Sequence, residues 1–278
     1  MIGAIRSEIR KVFTTRLWWG MGLGMALLAA LIAMGFAALL GNADFDDGSG
    51  SGNPFAAMTV GTAQLIYNAG IIQQMTILFP LAMGVLLITG EYRHKTISAT
   101  FLSTPNRWVV LVSKMVAVAV TGALYAVLHA AASVAGAAPI IKFVKNQPTL
   151  LAEPKVWESL GIGILAFIIW MLLGFSIGML IRNQIAAVLI AVGATFIIQI
   201  ALNIIFTVKE WYSAMKWIPG NLTSNMLITS DPLAGQTVNP QTQAQYFDHW
   251  WQAALVLIAY AAALSIIGAW LTTRRDVS

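Results

Sequence analysis

Six long apolar runs constrain the fold of this chain more than any other feature. They cover residues 18–40, 71–90, 109–138, 160–181, 185–206 and 251–271. A helix needs about 20 mostly apolar residues to cross the hydrocarbon core of a bilayer. The runs therefore predict an all-α membrane protein with six transmembrane helices.

The composition agrees with a membrane environment. Hydrophobic residues make up 58% of the 278 residues and charged residues only 10%, whereas soluble domains have about 45–50% and about 25%. Because a globule of this size cannot bury so much apolar surface, a soluble enzyme and a disordered chain are excluded. The absence of cysteine excludes a disulfide scaffold. The net charge of +5 indicates cytoplasmic membrane flanks, and we expect no nucleic-acid partner.

The basic residues predict the orientation of the spans. With both termini in the cytoplasm, 11 of the 16 basic residues fall inside, and only Lys142, Lys145, Lys155, Lys209 and Lys216 fall outside. This bias satisfies the positive-inside rule and requires an even number of spans. The inside set is Arg6, Arg10, Lys11, Arg16, Arg93, Lys95, Arg107, Lys114, Arg182, Arg274 and Arg275. The first run is too long for the apolar core of a secretory signal, so we expect it to be retained.

Residues 1–16 have the pattern of a basic amphipathic helix. Ile2, Ile5, Ile9 and Val12 recur at three- and four-residue steps, and most of the basic residues lie off this stripe. Such a helix is suited to the inner membrane interface. The alternative is a positive flank that only orients the first span.

The segment between the second and third runs, residues 91–107, combines charged and apolar residues. Ile97 and Phe101 are four residues apart, which gives a short helix one apolar edge. Pro105 suits the first turn of the next helix. We interpret the segment as a surface that docks a soluble partner, and the alternative is an ordinary inner loop.

The region 207–250, before the last run, is long for a connector. It contains several tryptophans typical of the membrane interface. Residues 218–228 are half apolar and are interrupted by Pro219 and Gly220. The sequence predicts an outer re-entrant or interfacial element here.

Catalytic motifs are missing from the sequence. It contains no Walker A pattern, no zinc-protease motif and no nucleophile elbow. Inside the apolar runs we single out one ionisable residue, His129, and expect it to make an interhelical hydrogen bond. A membrane body with a docking segment and no enzymatic motif indicates that another subunit supplies the energy.

On these features the chain resembles the permease subunits of ABC exporters of the ABC-2 type. The resemblance covers residues 1–278 as a single transmembrane domain, and its most specific part runs from Gly90-Glu91-Tyr92-Arg93 through Thr96 to Pro105-Asn106-Arg107. Lys95 stands where the family commonly has glycine. By resemblance, residues 1–16 are the connecting helix and residues 218–228 the outer re-entrant helices. The resemblance implies a coupling site made of Glu91, Tyr92, Arg93, Thr96, Ile97, Phe101, Pro105 and Arg107.

The resemblance also implies partners and a location. The chain would pair with a second permease copy, in a homodimer or a heterodimer, and with two ATPase subunits that hold ATP and Mg²⁺. It would contact membrane lipids in a bacterial plasma membrane and carry no cofactor itself. The apolar spans and the few inner charges, not the resemblance, favour a lipidic, amphipathic or drug-like cargo, and a short peptide would fit equally. The alternatives are a secondary transporter or channel, and a non-transporting membrane scaffold.

Overall fold

A computed structural model describes residues 2–42, 53–94, 96, 107–181, 183–229 and 243–274. This part of the chain contains helices and no strands. The first five helices are α1 (Ile2–Thr14), α2 (Leu17–Leu39), α3 (Val60–Tyr67), α4 (Ala69–Ile72) and α5 (Leu78–Arg93). The remaining six are α6 (Arg107–Pro139), α7 (Pro154–Leu180), α8 (Gln184–Val208), α9 (Tyr212–Met215), α10 (Pro219–Leu227) and α11 (Trp250–Arg274). The predicted all-α architecture is confirmed.

Five helices among the described residues are long and apolar enough to cross a membrane. They are Leu17–Leu39, Trp108–Val144, Pro154–Leu180, Gln184–Val208 and Trp250–Leu271. These correspond to the first, third, fourth, fifth and sixth apolar runs. The third extends past Pro139 through a wider helical turn at Ile140–Val144.

The second apolar run, residues 71–90, was wrongly predicted as one continuous helix. The chain leaves the helical path after α4, and α5 begins only at Leu78. Gln74 has a φ of 58°, a left-handed conformation that an α-helix cannot contain. The amides of Met75 and Thr76 both donate to the carbonyl of Gly70, which closes a tight turn. Hydropathy alone carries no signal for this break, although Pro80, in the first turn of α5, is a residue type that favours the start of a helix.

Helix α7 lies at the centre of the bundle and packs most closely on α5. A Cβ atom at Gly84 of α5 would overlap the backbone carbonyl of Met171. In return, a Cβ atom at Gly174 of α7 would overlap the backbone carbonyl of Leu81. Because small residues let helix backbones approach closely in a membrane, these glycines set the distance between the two helices.

Three contacts place the ends of several helices together at one end of the bundle. Arg93, the last residue of α5, donates to the Oε1 atom of Gln184 at the start of α8 over 3.1 Å. Helix α8 begins shortly after α7 ends, since only residues 182–184 separate the fourth and fifth apolar runs. Gly268, near the end of α11, packs on Met179 near the end of α7. Helix α1 contacts α6. Because α2 follows α1 directly in the chain, the starts of α2 and α6 lie at this end as well.

The opposite end of the bundle holds helix α10 in a buried position. Six of its nine residues are buried. The amide of Gly220 donates to the Oε1 atom of Gln199, and the indole of Trp170 donates to the hydroxyl of Thr223 over 2.9 Å. The predicted element at 218–228 is therefore a short helix packed among α4, α7 and α11. Residues 230–242 of the predicted outer loop lie outside the described residues.

Within the part of the chain that the structure describes, His129 does not make the interhelical hydrogen bond that we expected from the sequence. Its side chain is buried in α6, and its ring lies 5.3 Å from that of Phe167 in a tilted arrangement. The Nε2 atom has no hydrogen-bond partner among the described residues. The imidazole ring therefore contacts α7 through the ring of Phe167.

Candidate functional site

Four charged side chains from three helices meet at the end of the bundle where α5 stops and α6 starts. The Nζ atom of Lys114 lies 2.8 Å from the Oε2 atom of Glu8 and also contacts the Oε1 atom of Glu91. The Nζ atom of Lys11 lies 2.6 Å from Glu8 and 3.5 Å from Glu91. We call these four residues the ionic cluster. It joins the N-terminal helix to both helices that flank the predicted coupling segment.

The helical spacing of the sequence places these charges together. Glu8 and Val12, four residues apart, are the two buried residues of α1. They share the face that meets α6. Lys114 lies about two turns after Arg107 at the start of α6. Glu91 lies in the last turn of α5.

Burial makes the ionic cluster more costly to break than a surface ion pair. The side chain of Lys114 is 5% exposed, and those of Glu8 and Glu91 are 9% and 14% exposed. A buried charge is costly unless it is paired, and here two carboxylates surround one ammonium. The fourth charge, Lys11, is 47% exposed and balances the second carboxylate.

The pKa values of α1 report the same balance. Burial acts to raise the pKa of Glu8, but attraction to Lys114 and hydrogen bonds from Lys11 and Lys114 outweigh it and lower that pKa below 4.5. Burial acts to lower the pKa of Lys11, but its bonds to Glu8 and Glu91 raise it above 10.5. The side chains of Glu8 and Lys11 are therefore both charged at neutral pH.

The structure describes five of the eight predicted coupling residues. Glu91 belongs to the ionic cluster, Tyr92 packs against the apolar core, and Arg93 reaches the start of α8. Thr96 is exposed, and the backbone of Arg107 begins α6. Ile97, Phe101 and Pro105 lie outside the described residues.

Sequence reasoning missed Glu8 and Lys114. Lys114 was counted with the basic flanks, although it lies inside the third apolar run. A lysine within a span is itself a signal of a functional partner, because an unpaired charge there is expensive. Glu8 is the only acidic residue of α1 and lies within its apolar stripe. Their separation of 106 residues hides the pairing from any local pattern.

A cavity of about 790 Å³ opens beside the ionic cluster. All four charged residues line it. Apolar side chains line it as well, among them Leu86, Val118 and Phe175. Among the described residues, no group of three potential metal ligands is found. The arrangement can hold a molecule with a polar end and an apolar body.

Comparison with protein-family models matches residues 4–277 to a family described as ABC-2 family transporter protein. The match includes α1, the ionic cluster and all five long helices. No match was found among curated proteins. Since the matched region covers nearly the whole chain, this protein belongs to the ABC-2 family of transporter proteins.

Proposed function

We propose that this chain is the permease subunit of an ATP-driven exporter, worked by separate ABC ATPase subunits that bind the segment 91–107. ABC-2 membrane domains are permeases that generally work with ABC ATPases. The ATP and Mg²⁺ would be held by those partner subunits. The cargo class is lipidic, amphipathic, drug-like or peptide.

The ionic cluster is the observation that supports this proposal. It ties the end of α5, the start of α6 and the whole of α1 through Glu91, Lys114 and Glu8. Arg93 adds a bond to the start of α8. A push on segment 91–107 would therefore move four helices together, because the buried ion pairs resist separation.

We propose further that α4, the turn after it and α5 form a sixth, discontinuous crossing. Helix α5 has 16 residues, which is about 24 Å at 1.5 Å per residue. The single turn of α4 adds about 6 Å, which brings the pair to the roughly 30 Å of the hydrocarbon core. Six crossings return both termini to one side, and the positive-inside rule makes that side cytoplasmic. Helix α1 would then lie in the inner interface as the connecting helix.

We infer that α10 lies in the outer half of the membrane. It lies at the end of the bundle opposite the ionic cluster, and irregular backbone at that depth requires cover by protein. Helices α4, α7 and α11 provide that cover. We infer that α10 is the re-entrant element of the outer side.

A second copy of the chain would complete the translocation path in a homodimer. Helices α2 and α8 are the least buried of the five long helices. Only 28% and 22% of the residues in their most apolar 18-residue stretches are buried inside the protein. Their outward apolar faces are available to a second copy and to membrane lipids.

Site-directed cross-linking tests the docking assignment. The chain has no cysteine, so each introduced cysteine is the only one. We expect Thr96→Cys to cross-link to a co-purified ABC ATPase through a short bifunctional maleimide or amine-reactive linker, with a yield that changes on addition of ATP. Val208→Cys is the matched control, because Val208 is exposed at the opposite end of the bundle. Equal yields from the two positions, or a product only from Val208→Cys, would contradict the assignment.

A further inference from the structure

The cavity beside the ionic cluster has the size and the lining of a ligand site. Its volume of about 790 Å³ lies in the range of small-molecule pockets. Leu86 and Leu87 of α5, Val118 of α6 and Phe175 of α7 provide apolar walls. The charged residues of the ionic cluster line it too, together with neutral polar side chains such as Ser113 and Gln184. The lining therefore suits a ligand with an apolar body and a polar end.

The carboxylate of Glu91 indicates the chemistry of that polar end. Its Oε1 atom accepts bonds from both Lys11 and Lys114. Its Oε2 atom is buried and has no hydrogen-bond partner among the described residues. A buried carboxylate oxygen without a donor is unfavourable, and a cationic N–H donor such as an ammonium group would satisfy it.

One member of the ionic cluster can give way to such a group. Lys11 contacts Glu91 at 3.5 Å, the longest of the four ion pairs, and its side chain is half exposed. A ligand ammonium that displaces Lys11 from Glu91 keeps the local charge balanced, because Lys11 retains its shorter bond to Glu8.

The cavity also reaches the surface at the level where amphiphiles lie in a membrane. Leu17, at the junction of α1 and α2, lines the cavity and is 42% exposed. In the six-span arrangement this junction lies at the inner membrane interface. A molecule could enter there from the inner leaflet with its head beside the ionic cluster.

We propose that this cavity is the loading site for cargo, and that the cargo is an amphiphile with an aliphatic body and a primary ammonium head bound by Glu91. The inference deepens the proposed function and rests on it, because it makes the bound molecule the transported one. The site itself lies entirely on this chain, so its binding can be measured without the ATPase.

Photolabelling of the full chain in lipid nanodiscs tests the site. The probe is a long-chain primary alkylamine with a diazirine in its chain, and the labelled residues are mapped by mass spectrometry. We expect adducts on the cavity walls at Leu86, Leu87 and Val118, and competition by dodecylamine but not by dodecanol. Labelling spread evenly over the outward faces of α2 and α8, or equal competition by dodecanol, would overturn the proposal.

Three variants separate binding from folding. Glu91→Gln should weaken labelling at least about tenfold, because a charged acceptor is lost. Lys11→Met should strengthen it up to about fivefold, because a competing exposed ion pair is removed. Glu158→Gln is the matched control, since Glu158 is exposed at the opposite end of the bundle and should leave labelling unchanged. A gain in Lys11→Met cannot come from misfolding, and an unchanged or weaker signal in that variant would contradict the proposed displacement.

A second readout separates this inference from the proposed function. In the complex with its ATPase, dodecylamine should stimulate ATP hydrolysis in the wild type and lose that effect in Glu91→Gln. Labelling of the cavity without stimulation would show a resident amphiphile and refute the loading role. ATP-driven transport of another cargo without any cavity labelling would refute the site and leave the proposed function standing.

Discussion

Removing the central charge of the ionic cluster should undock α1 from the bundle. In Lys114→Met the side chain keeps nearly the same length and loses its ammonium. The carboxylates of Glu8 and Glu91 then face each other in a buried place, with only the half-exposed Lys11 to balance them. Breaking a buried ion pair by removing one partner costs about 3–5 kcal/mol.

Protonation of one of the two glutamates sets an upper limit on that cost and gives an independent value for it. A glutamate has an ordinary pKa of 4.5, which lies about 2.5 pH units below neutral. Neutralising one of the two carboxylates at pH 7 therefore costs about 3.4 kcal/mol, at about 1.36 kcal/mol per pH unit. Both routes converge on a loss of about 3 kcal/mol, which corresponds to roughly a hundredfold shift in the docking equilibrium.

Hydrogen–deuterium exchange of the α1 amides measures this shift directly. Exchange of residues 2–14 should become about a hundredfold faster in Lys114→Met, while the amides of α7 keep their protection. Lys209→Met is the matched control, because Lys209 is exposed at the other end of the bundle. Adding Glu8→Gln to Lys114→Met should restore most of the protection, since it removes the surplus carboxylate.

The opposite results would refute this reasoning. An exchange rate of α1 in Lys114→Met within a factor of three of the wild type would show that the ion pairs do not hold the helix. Additive losses in the double variant would show that the two side chains do not interact.

Three further predictions concern pH, helix packing and the outer end. Docking of α1 should persist between pH 4.5 and pH 10.5, as measured by amide exchange corrected for its intrinsic pH dependence. The stabilisation from Glu8 is present above pH 4.5 and is lost as the pH falls through its lowered pKa. The stabilisation from Lys11 is present below pH 10.5 and is lost as the pH rises through its raised pKa. Protection unchanged well beyond both limits would contradict it. Gly174→Ala should destabilise the bundle by about 3 kcal/mol in an SDS titration, because the added Cβ atom would overlap the backbone of Leu81. Gly161→Ala in the same helix should change stability by less than about 1 kcal/mol, because its Cβ atom would have no neighbour within 4 Å. Equal effects of the two substitutions would refute the close packing of α7 on α5. Gln199→Leu should speed exchange at the first turn of α10 about tenfold, because the acceptor for that turn is lost, and unaltered exchange there would count against its capping role.

The sequence was sufficient for the helical architecture, because twenty-residue apolar runs have few other solutions in a membrane. Five of the six runs correspond to long helices, and the short gap between the fourth and fifth runs separates α7 from α8. The amphipathic pattern of residues 1–16 predicted α1 correctly as a helix. These features depend on local periodicity and length, which the sequence displays directly.

The features that the sequence did not reveal are those set by distant contacts. The break before α5 depends on a left-handed Gln74 whose side chain packs on Gly220, 146 residues away in the chain by their numbering. The pairing of Lys114 with Glu8 likewise joins residues far apart. Hydropathy and spacing describe each segment by itself, so even a correct assignment of Lys114 to the third apolar run would not have identified its partner.

We propose that this chain provides the path and that another subunit provides the energy. The decisive measurement is the flux of a fluorescent long-chain amine across proteoliposomes, with the chain reconstituted alone and with its ABC ATPase. We predict flux only when both proteins and ATP are present, and its loss when the ATPase cannot hydrolyse ATP. Equal flux through the chain alone, without nucleotide, would contradict the claim and favour a secondary transporter or a channel.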